Sequence, residues 1–330
     1  AAEVVNLLSR FFIVSNAKVR NPSELAQELA YRARYLRRLA LKELETEEEE
    51  GPLRDLYNAF KDALVHDQTE EEFADAFAQT LTYGLLTARW VGNDKIVESG
   101  DHFTRQNAFT YLPHTSNFLG DLFKKALTVN LDDQRGRLLW LVDDIADLLD
   151  RINVVFVFGA GDKESDQATD TVIHFYEPFL AAYDNELRNK RGVFFTPRPA
   201  VSYIVRSVHE FLQTEFGLKD GLASMDTWGD VQKRMQGLKL PAGAKENDTF
   251  VCILDIATGT GTFLYECIDV IERTMKEKWC KELKKKNWDD QEIIDLWRTY
   301  VTKYLLTRLY GYELMMASYA VAHLKLAFKL

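Results

Sequence analysis

The chain has 330 residues, 46% of them hydrophobic and 12% aromatic, which is enough to bury a substantial core in two or three domains. No apolar run approaches the roughly 20 residues that span a bilayer, and the N-terminus lacks the features of a signal peptide, so a cytoplasmic protein with no membrane partner is expected. The formal net charge of −10 argues against a protein that holds nucleic acid through a generally basic surface.

Cysteine and histidine spacing gives no sign of a metal site. Cys252, Cys267 and Cys280 are widely spaced and form no CxxC pair. The six histidines are scattered, without an HExxH or similar ligand spacing. We therefore expect neither a structural metal nor a disulfide framework.

The first half of the chain has a helical pattern from Pro22 to about Asp150. Its apolar residues recur at helical spacing in two stripes. The first stripe is Phe73, Phe77, Leu81 and Leu85, and the second is Leu138, Leu141, Ile145, Leu148 and Ile152. These stripes predict an N-terminal helical bundle. A basic segment within it, with Arg34, Arg37 and Arg38 on adjacent turns, indicates either a local nucleic-acid contact or a solvated helix face.

Two polar stretches suggest boundaries. The acidic run from Glu43 to Gly51 precedes Pro52 and indicates a helix end that leads into a loop. The stretch from Gly159 to Asp170 follows an apolar segment and indicates a hinge. The predicted domains are therefore residues 1–165, which are helical, and residues 166–330.

A strand, a glycine loop and a helix are predicted from Val251 onward. The short apolar run of Val251, Ile253 and Leu254, two of them β-branched, indicates a buried parallel strand that ends on Asp255. Two glycines follow before a helical pattern begins, an arrangement that lets the backbone approach a ligand beside free helix N–H groups. No lysine follows Gly261, as a P-loop requires, and Leu264 replaces the third glycine of the dinucleotide fingerprint.

Two further segments frame this loop. Before it, Pro197 and Pro199 indicate a helix start, preceded by Phe195 and Thr196. After it, the segment from Leu309 indicates a second strand ending near Glu313, where an acidic residue of a Rossmann-like fold accepts hydrogen bonds from ribose hydroxyls. Glu313 lies far from the loop in sequence, so a helical insertion is predicted at about residues 272–304. Lys284 to Lys286 within it fit either a DNA contact or a solvated face.

The run Asp255 to Gly261, DIATGTG, resembles the DPACGSG-type motif of amino-DNA methyltransferases, with Ile256 where proline is usual. The segment around Phe195-Thr196-Pro197 resembles the FTP segment of γ-ordered N6-adenine methyltransferases. Together with the Glu313 segment, these motifs resemble the methyltransferase core of large single-chain restriction-modification enzymes of the Type ISP and Type IIG kinds. Residues 73–89 resemble the helical coupler that precedes that core. The resemblance covers most of the chain from about Phe73.

The resemblance implies an α/β fold, in which the helical bundle is followed by the start of a Rossmann-like class I methyltransferase domain that uses S-adenosyl-L-methionine. The implied reaction is methyl transfer to adenine N6 in DNA, and the implied partners are double-stranded DNA and nuclease, helicase and target-recognition domains of the same polypeptide. The implied cofactor-binding residues are Phe195, Thr196, Pro197, Asp255, Ala257, Thr258, Gly259, Gly261, Thr262, Phe263, Glu313 and Leu314.

The Asn-Pro-Pro-Tyr-type motif that holds the flipped adenine in this family is missing, because no two of the seven prolines are adjacent. We therefore expect a fragment with an incomplete catalytic site and predict no catalytic residue. Two alternatives remain open at this stage. One is a helical coupling module of such an enzyme, and the other is a methyltransferase that acts on RNA, protein or a small molecule.

Overall fold

The structure is a computed structural model that describes residues 19–46, 51–63, 66–112, 137–158, 175–184, 196–285, 287–313 and 316–330. The chain divides into two compact units, Ala1–Phe194 and Phe195–Leu330. This division lies later in the chain than the predicted boundary between residues 165 and 166. No helix in the described ranges is long and apolar enough to cross a bilayer.

The described part of the first unit is helical, as the apolar stripes predict. Its helices are α1 (Pro22–Thr46), α2 (Pro52–Ala63), α3 (Glu70–Val91), α4 (Asn93–Ser99), α5 (Arg105–Ala108), α6 (Arg137–Arg151), α7 (Val154–Val157) and α8 (Tyr176–Tyr183). All four residues of the first stripe are buried, since α3 packs between α1 and α6. Thr69 begins α3 with a reciprocal capping box to Glu72. The predicted hinge at residues 159–170 lies outside the described residues.

Buried polar contacts explain why α8 belongs to the first unit. The Tyr183 hydroxyl donates to Asp75 Oδ1 at 2.7 Å, and the Tyr176 hydroxyl donates to Gln79 Oε1 at 2.8 Å. Both acceptors lie on α3 and are buried. Buried polar groups that pair with each other fix one arrangement of the helices that carry them. The first unit therefore extends past the predicted boundary.

The second unit joins helices to a small parallel sheet. Its helices are α9 (Arg198–Glu215), α10 (Trp228–Arg234), α11 (Thr262–Leu283), α12 (Gln291–Tyr300) and α13 (Met316–Lys329). Its strands are β1 (Ile253–Asp255) and β2 (Leu309–Gly311), which pair in parallel with Ile253 opposite Leu309. Parallel strands need a long crossover. Here α11, α12 and the π-helix Val301–Leu305 form it, so the predicted insertion begins inside α11.

The core of the second unit lies between α9, α11 and the crossover. It includes Val201 and Val205 of α9, Ile268 of α11 and Tyr300 of α12. The prediction that β1 is buried is wrong, since Leu254 is 56% exposed. Within the described residues β1 has a neighbouring strand, β2, on one edge alone. The described fold is thus an α/β unit after a helical unit, and the larger Rossmann-like sheet remains a prediction.

Candidate functional site

The glycine loop, defined as residues 255–261, joins the end of β1 to the start of α11. Gly259 and Gly261 have φ angles of 56° and 77°, in the left-handed region that favours glycine. Gly261 is the N-cap of α11, and no side chain caps this helix start. The first turn of α11 therefore presents its partial positive charge beside a loop whose backbone can be approached closely.

Asp255 holds the loop with one carboxylate oxygen and keeps the other without a partner. Its Oδ1 accepts a hydrogen bond from the Ala257 amide at 3.2 Å. Its Oδ2 is buried and has no hydrogen-bond partner among the described residues. A buried polar atom left unpaired costs about 1–3 kcal/mol. Asp255 Oδ2 is therefore an acceptor suited to a hydrogen-bond donor or cation of a ligand.

Glu313 connects the end of β2 to the same loop. Its Oε2 accepts from the Gly259 amide at 2.6 Å. The backbone continues this connection, because the Tyr312 amide donates to the Asp255 carbonyl at 2.9 Å and the Thr258 amide donates to the Tyr312 carbonyl at 3.0 Å. Two acidic residues far apart in sequence thus lie at the ends of adjacent parallel strands, on either side of the loop.

Gly311 allows β2 to lie this close to the glycine loop, and its role was not predicted from the sequence. A Cβ at this position would lie 2.7 Å from Thr258 Oγ1 and 2.9 Å from Leu264 Cδ1. The available signal was a glycine between Tyr310 and Tyr312, since a glycine inside a strand often marks close approach of another backbone. Gly311 therefore sets the distance between β2 and the loop.

Gly311→Ala is expected to destabilise the second unit by about 1–3 kcal/mol, the usual cost of an added group in a filled site. The free energy of unfolding in urea measures this loss. Adding Thr258→Ala removes one of the two colliding groups, so the double variant should recover part of the stability. An unchanged unfolding midpoint in Gly311→Ala would show that the site accommodates a methyl group.

The start of α11 is held from α13 by a buried lysine that sequence reasoning also missed. Lys325 is 2% exposed, and its Nζ donates to Thr262 Oγ1 at 3.1 Å. The same ammonium lies 5.6 Å from the centre of the Tyr265 ring. A lysine in a helical pattern gives no sign in sequence that it is buried. Lys325 positions the first turn of α11 beside the loop.

An apolar groove of about 520 Å³ runs beside β1, between α9 and α11. Ile204, Leu254, Ile256 and Phe263 contribute to its lining. Burial, followed by the nearby charges of Asp255 and Glu266, raises the pKa of the Cys267 thiol in this groove to about 12. Cys267 is therefore a protonated, apolar part of the wall at neutral pH.

The structure brings eight of the twelve predicted cofactor residues together and places two others, Thr196 and Pro197, away from them. Those in or beside the glycine loop are Asp255, Ala257, Thr258, Gly259, Gly261, Thr262, Phe263 and Glu313. Thr196 and Pro197 are exposed, and Pro197 is the N-cap of α9. Neither of them lines the apolar groove. Phe195 and Leu314 lie outside the described residues.

The comparisons with known proteins found similarity between this chain and solved structures. No family model and no curated protein matches the chain. The chain is similar to a cryo-electron-microscopy structure of the DrdV–DNA complex, with 17% identity over 93% of this chain and 24% of that one, at a TM-score of 0.43. It is also similar to the ATP-dependent Type ISP restriction-modification enzyme LlaBIII bound to DNA, with 16% identity over 93% of this chain and 16% of that one, at a TM-score of 0.48.

The likeness to both structures is distant and partial. Both TM-scores are below 0.5 and both identities are below 25%. The chain spans about a quarter of one matched protein and about a sixth of the other. The activity of a whole restriction-modification enzyme is thus a proposal for this chain, and its support comes from the residues of the site.

Proposed function

We propose that the glycine loop binds S-adenosyl-L-methionine and that the chain is part of an adenine-N6 DNA methyltransferase of a restriction-modification system. The observation that carries the proposal is the arrangement of Asp255 and Glu313. They lie at the ends of adjacent parallel strands around the loop, and Asp255 Oδ2 is buried without a partner. Ligands of doubly wound sheets bind beyond the carboxyl ends of the strands, where these residues are.

The chemistry of these residues fits the cofactor. The Asp255 carboxylate suits the ammonium group of the methionine part, because a charge-assisted hydrogen bond would satisfy Oδ2. Gly259 and Gly261 leave room for the cofactor backbone. A carboxylate has about four acceptor positions, so Glu313 can hold the Gly259 amide and still accept from ribose hydroxyls. When bound, the cofactor supplies a methyl group on a sulfonium.

The proposed methyl acceptor is the N6 amino group of adenine in duplex DNA. Its lone pair is delocalised into the ring and is inaccessible inside a duplex, so the base must be flipped out of the helix. The chain has no two adjacent prolines and hence no Asn-Pro-Pro-Tyr-type motif. We assign the described residues to cofactor binding and assign none to catalysis.

Glu313→Ala is expected to weaken binding of S-adenosylhomocysteine, the demethylated product, by about tenfold, since it removes hydrogen bonds worth roughly 1.5 kcal/mol. Isothermal titration calorimetry measures the dissociation constant. Glu210→Ala, at an exposed position of α9, is the matched control and should bind as the wild type does. Equal affinity in Glu313→Ala and in the wild type would remove Glu313 from the cofactor site.

A further inference from the structure

A basic surface lies along α11, in a chain whose net charge is −10. We define it by the residues that line two adjoining grooves. One groove, of about 500 Å³, lies between α9 and α11, and the other, of about 380 Å³, lies at the C-terminal end of α11. The grooves share Glu277 and Lys281. Seven cations and two acidic residues line them together, namely Arg206, Lys219, Arg273, Lys278, Lys281, Lys284 and Lys285, with Asp220 and Glu277. The net charge of the residues that line this surface is thus positive, whereas that of the whole chain is negative.

Several cations of this surface are not neutralised. Lys278 pairs with Asp220 at 2.6 Å, and Lys285 pairs with Asp290 at 3.1 Å. Four others have no acidic partner in the part of the chain that the structure describes, namely Arg206, Lys219, Lys281 and Lys284. Neighbouring cations without acids repel one another, and a polyanion relieves this repulsion.

The basic segment in the first unit differs in this respect. Arg34 donates to the backbone carbonyls of Ala182 and Tyr183, and Arg37 pairs with Asp75 at 3.5 Å. These side chains have structural partners within their own unit. The hypothesis of a nucleic-acid contact at this segment is accordingly weaker than at the basic surface of α11.

The dimensions of the basic surface match a phosphate backbone. Its cations on α11 run from Arg273, which pairs with Asp269, to Lys284, a length of about 16 Å at 1.5 Å per residue. One strand of duplex DNA presents a phosphate about every 3.4 Å, so this length matches on the order of five phosphates of one strand. Trp288 is 37% exposed and lines the second groove beside Lys281 and Lys284. A flat apolar ring among cations suits contact with a sugar between two phosphates.

We propose that the basic surface binds the sugar–phosphate backbone of duplex DNA at a site separate from the glycine loop. The choice of DNA among polyanions rests on the proposed function, whereas the charge argument stands without it. Lys284 lies about 34 Å along α11 from Gly261. One turn of duplex DNA is about the same length. A duplex lying along α11 would reach the glycine loop one turn away from its contact with Lys284.

The test is fluorescence anisotropy of a labelled 24-base-pair duplex with the full 330-residue chain, over a series of salt concentrations. We expect Lys219→Glu/Lys281→Glu/Lys284→Glu to weaken binding at least tenfold. The slope of log affinity against log salt should fall by about 2–3, since each phosphate contact contributes about 0.9. The matched control is Lys239→Glu/Lys245→Glu/Lys303→Glu, which makes the same charge change at exposed positions outside both grooves. It should change affinity less than twofold.

Variants of Trp288 distinguish a surface that binds nucleic acid from one that binds any anion. We expect Trp288→Ala to weaken duplex binding several-fold with an unchanged salt slope, and Trp288→Phe to retain most of the affinity. Three results would overturn the proposal. The first is an equal loss of affinity in the two lysine triple variants, and the second is wild-type affinity in Lys219→Glu/Lys281→Glu/Lys284→Glu. The third is displacement of the duplex by poly-glutamate at equal charge. Titration of the same proteins with S-adenosylhomocysteine reports on the glycine loop, so failure of the cofactor proposal is seen separately.

Discussion

Asp255→Asn is expected to lower the affinity for S-adenosylhomocysteine by about 10- to 100-fold, because a hydrogen bond to a charged group contributes roughly 1.5–3 kcal/mol. The asparagine can still accept from the Ala257 amide through Oδ1, as the aspartate does at 3.2 Å. Its amide nitrogen would replace the unpartnered Oδ2 and present hydrogens to the cofactor ammonium. The loop should therefore keep its shape while the affinity for the ligand falls.

The same substitution should leave the ligand-free protein at least as stable as the wild type. A buried carboxylate oxygen without a donor destabilises the fold, and a neutral amide in its place lowers that penalty, because burying a charge costs more than burying a neutral polar group. Calorimetric titration measures the affinity, and urea unfolding without ligand measures the stability. Asp289→Asn, at an exposed position before α12, is the control for both. A parallel fall in affinity and stability would make Asp255 a structural residue, and unchanged affinity would exclude it from the site.

The strand, loop and helix around Asp255 could be predicted because their signals are local. A short apolar run with β-branched residues indicates a strand, and apolar residues that recur at three- and four-residue spacing after Gly261 indicate a helix. Gly259 and Gly261 adopt the positive φ angles for which glycine is favoured. Glu313 could be predicted despite its distance in sequence, because parallel strands bring their carboxyl ends to the same edge. In the structure Glu313 lies beside the loop, where its Oε2 accepts from the Gly259 amide.

Other parts of the site depend on contacts between distant segments. Gly311 matters because Thr258 lies against it, and Lys325 is buried because α13 packs on α11. Neither contact can be predicted from the spacing of residues along one helix or strand. The exposure of Leu254 has the same origin, since burial of a strand is decided by its neighbours in the sheet and not by its own residues. Local pattern therefore predicts elements, and tertiary packing decides their surroundings.

Arg308 is the residue that joins these distant segments. It is 2% exposed, and its guanidinium donates to the carbonyls of Ser224 at 3.0 Å and Val251 at 3.3 Å and to the Tyr300 hydroxyl at 2.5 Å. Its own carbonyl accepts from the Ile253 amide at 2.8 Å, at the start of the β1–β2 pairing. Within the described residues the Arg308 cation has no carboxylate partner, so neutral oxygens and the face of the Tyr300 ring hold it.

Arg308→Ala is expected to destabilise the second unit by about 3–5 kcal/mol, the usual result of removing one partner from a buried charged network. The substitution leaves two buried carbonyls without this donor and opens a cavity beside Tyr300. Urea unfolding followed by intrinsic tryptophan fluorescence measures the loss, because Trp279 and Trp297 lie within 6.1 Å of the Tyr300 ring. Arg308→Lys should recover little of this stability, since one ammonium cannot reach three acceptors in a fork geometry.

The matched control is Arg298→Ala, whose side chain is 69% exposed and lies 3.4 Å from Asp295. Exposed ion pairs contribute about 0–1 kcal/mol to stability, so the free energy of unfolding of this variant should be close to that of the wild type. If Arg308→Ala also unfolds close to the wild type, the three acceptors do not depend on the guanidinium. If it loses stability as expected, the glycine loop should lose its ligand affinity as well, because the strand that carries Asp255 is held in register from Arg308.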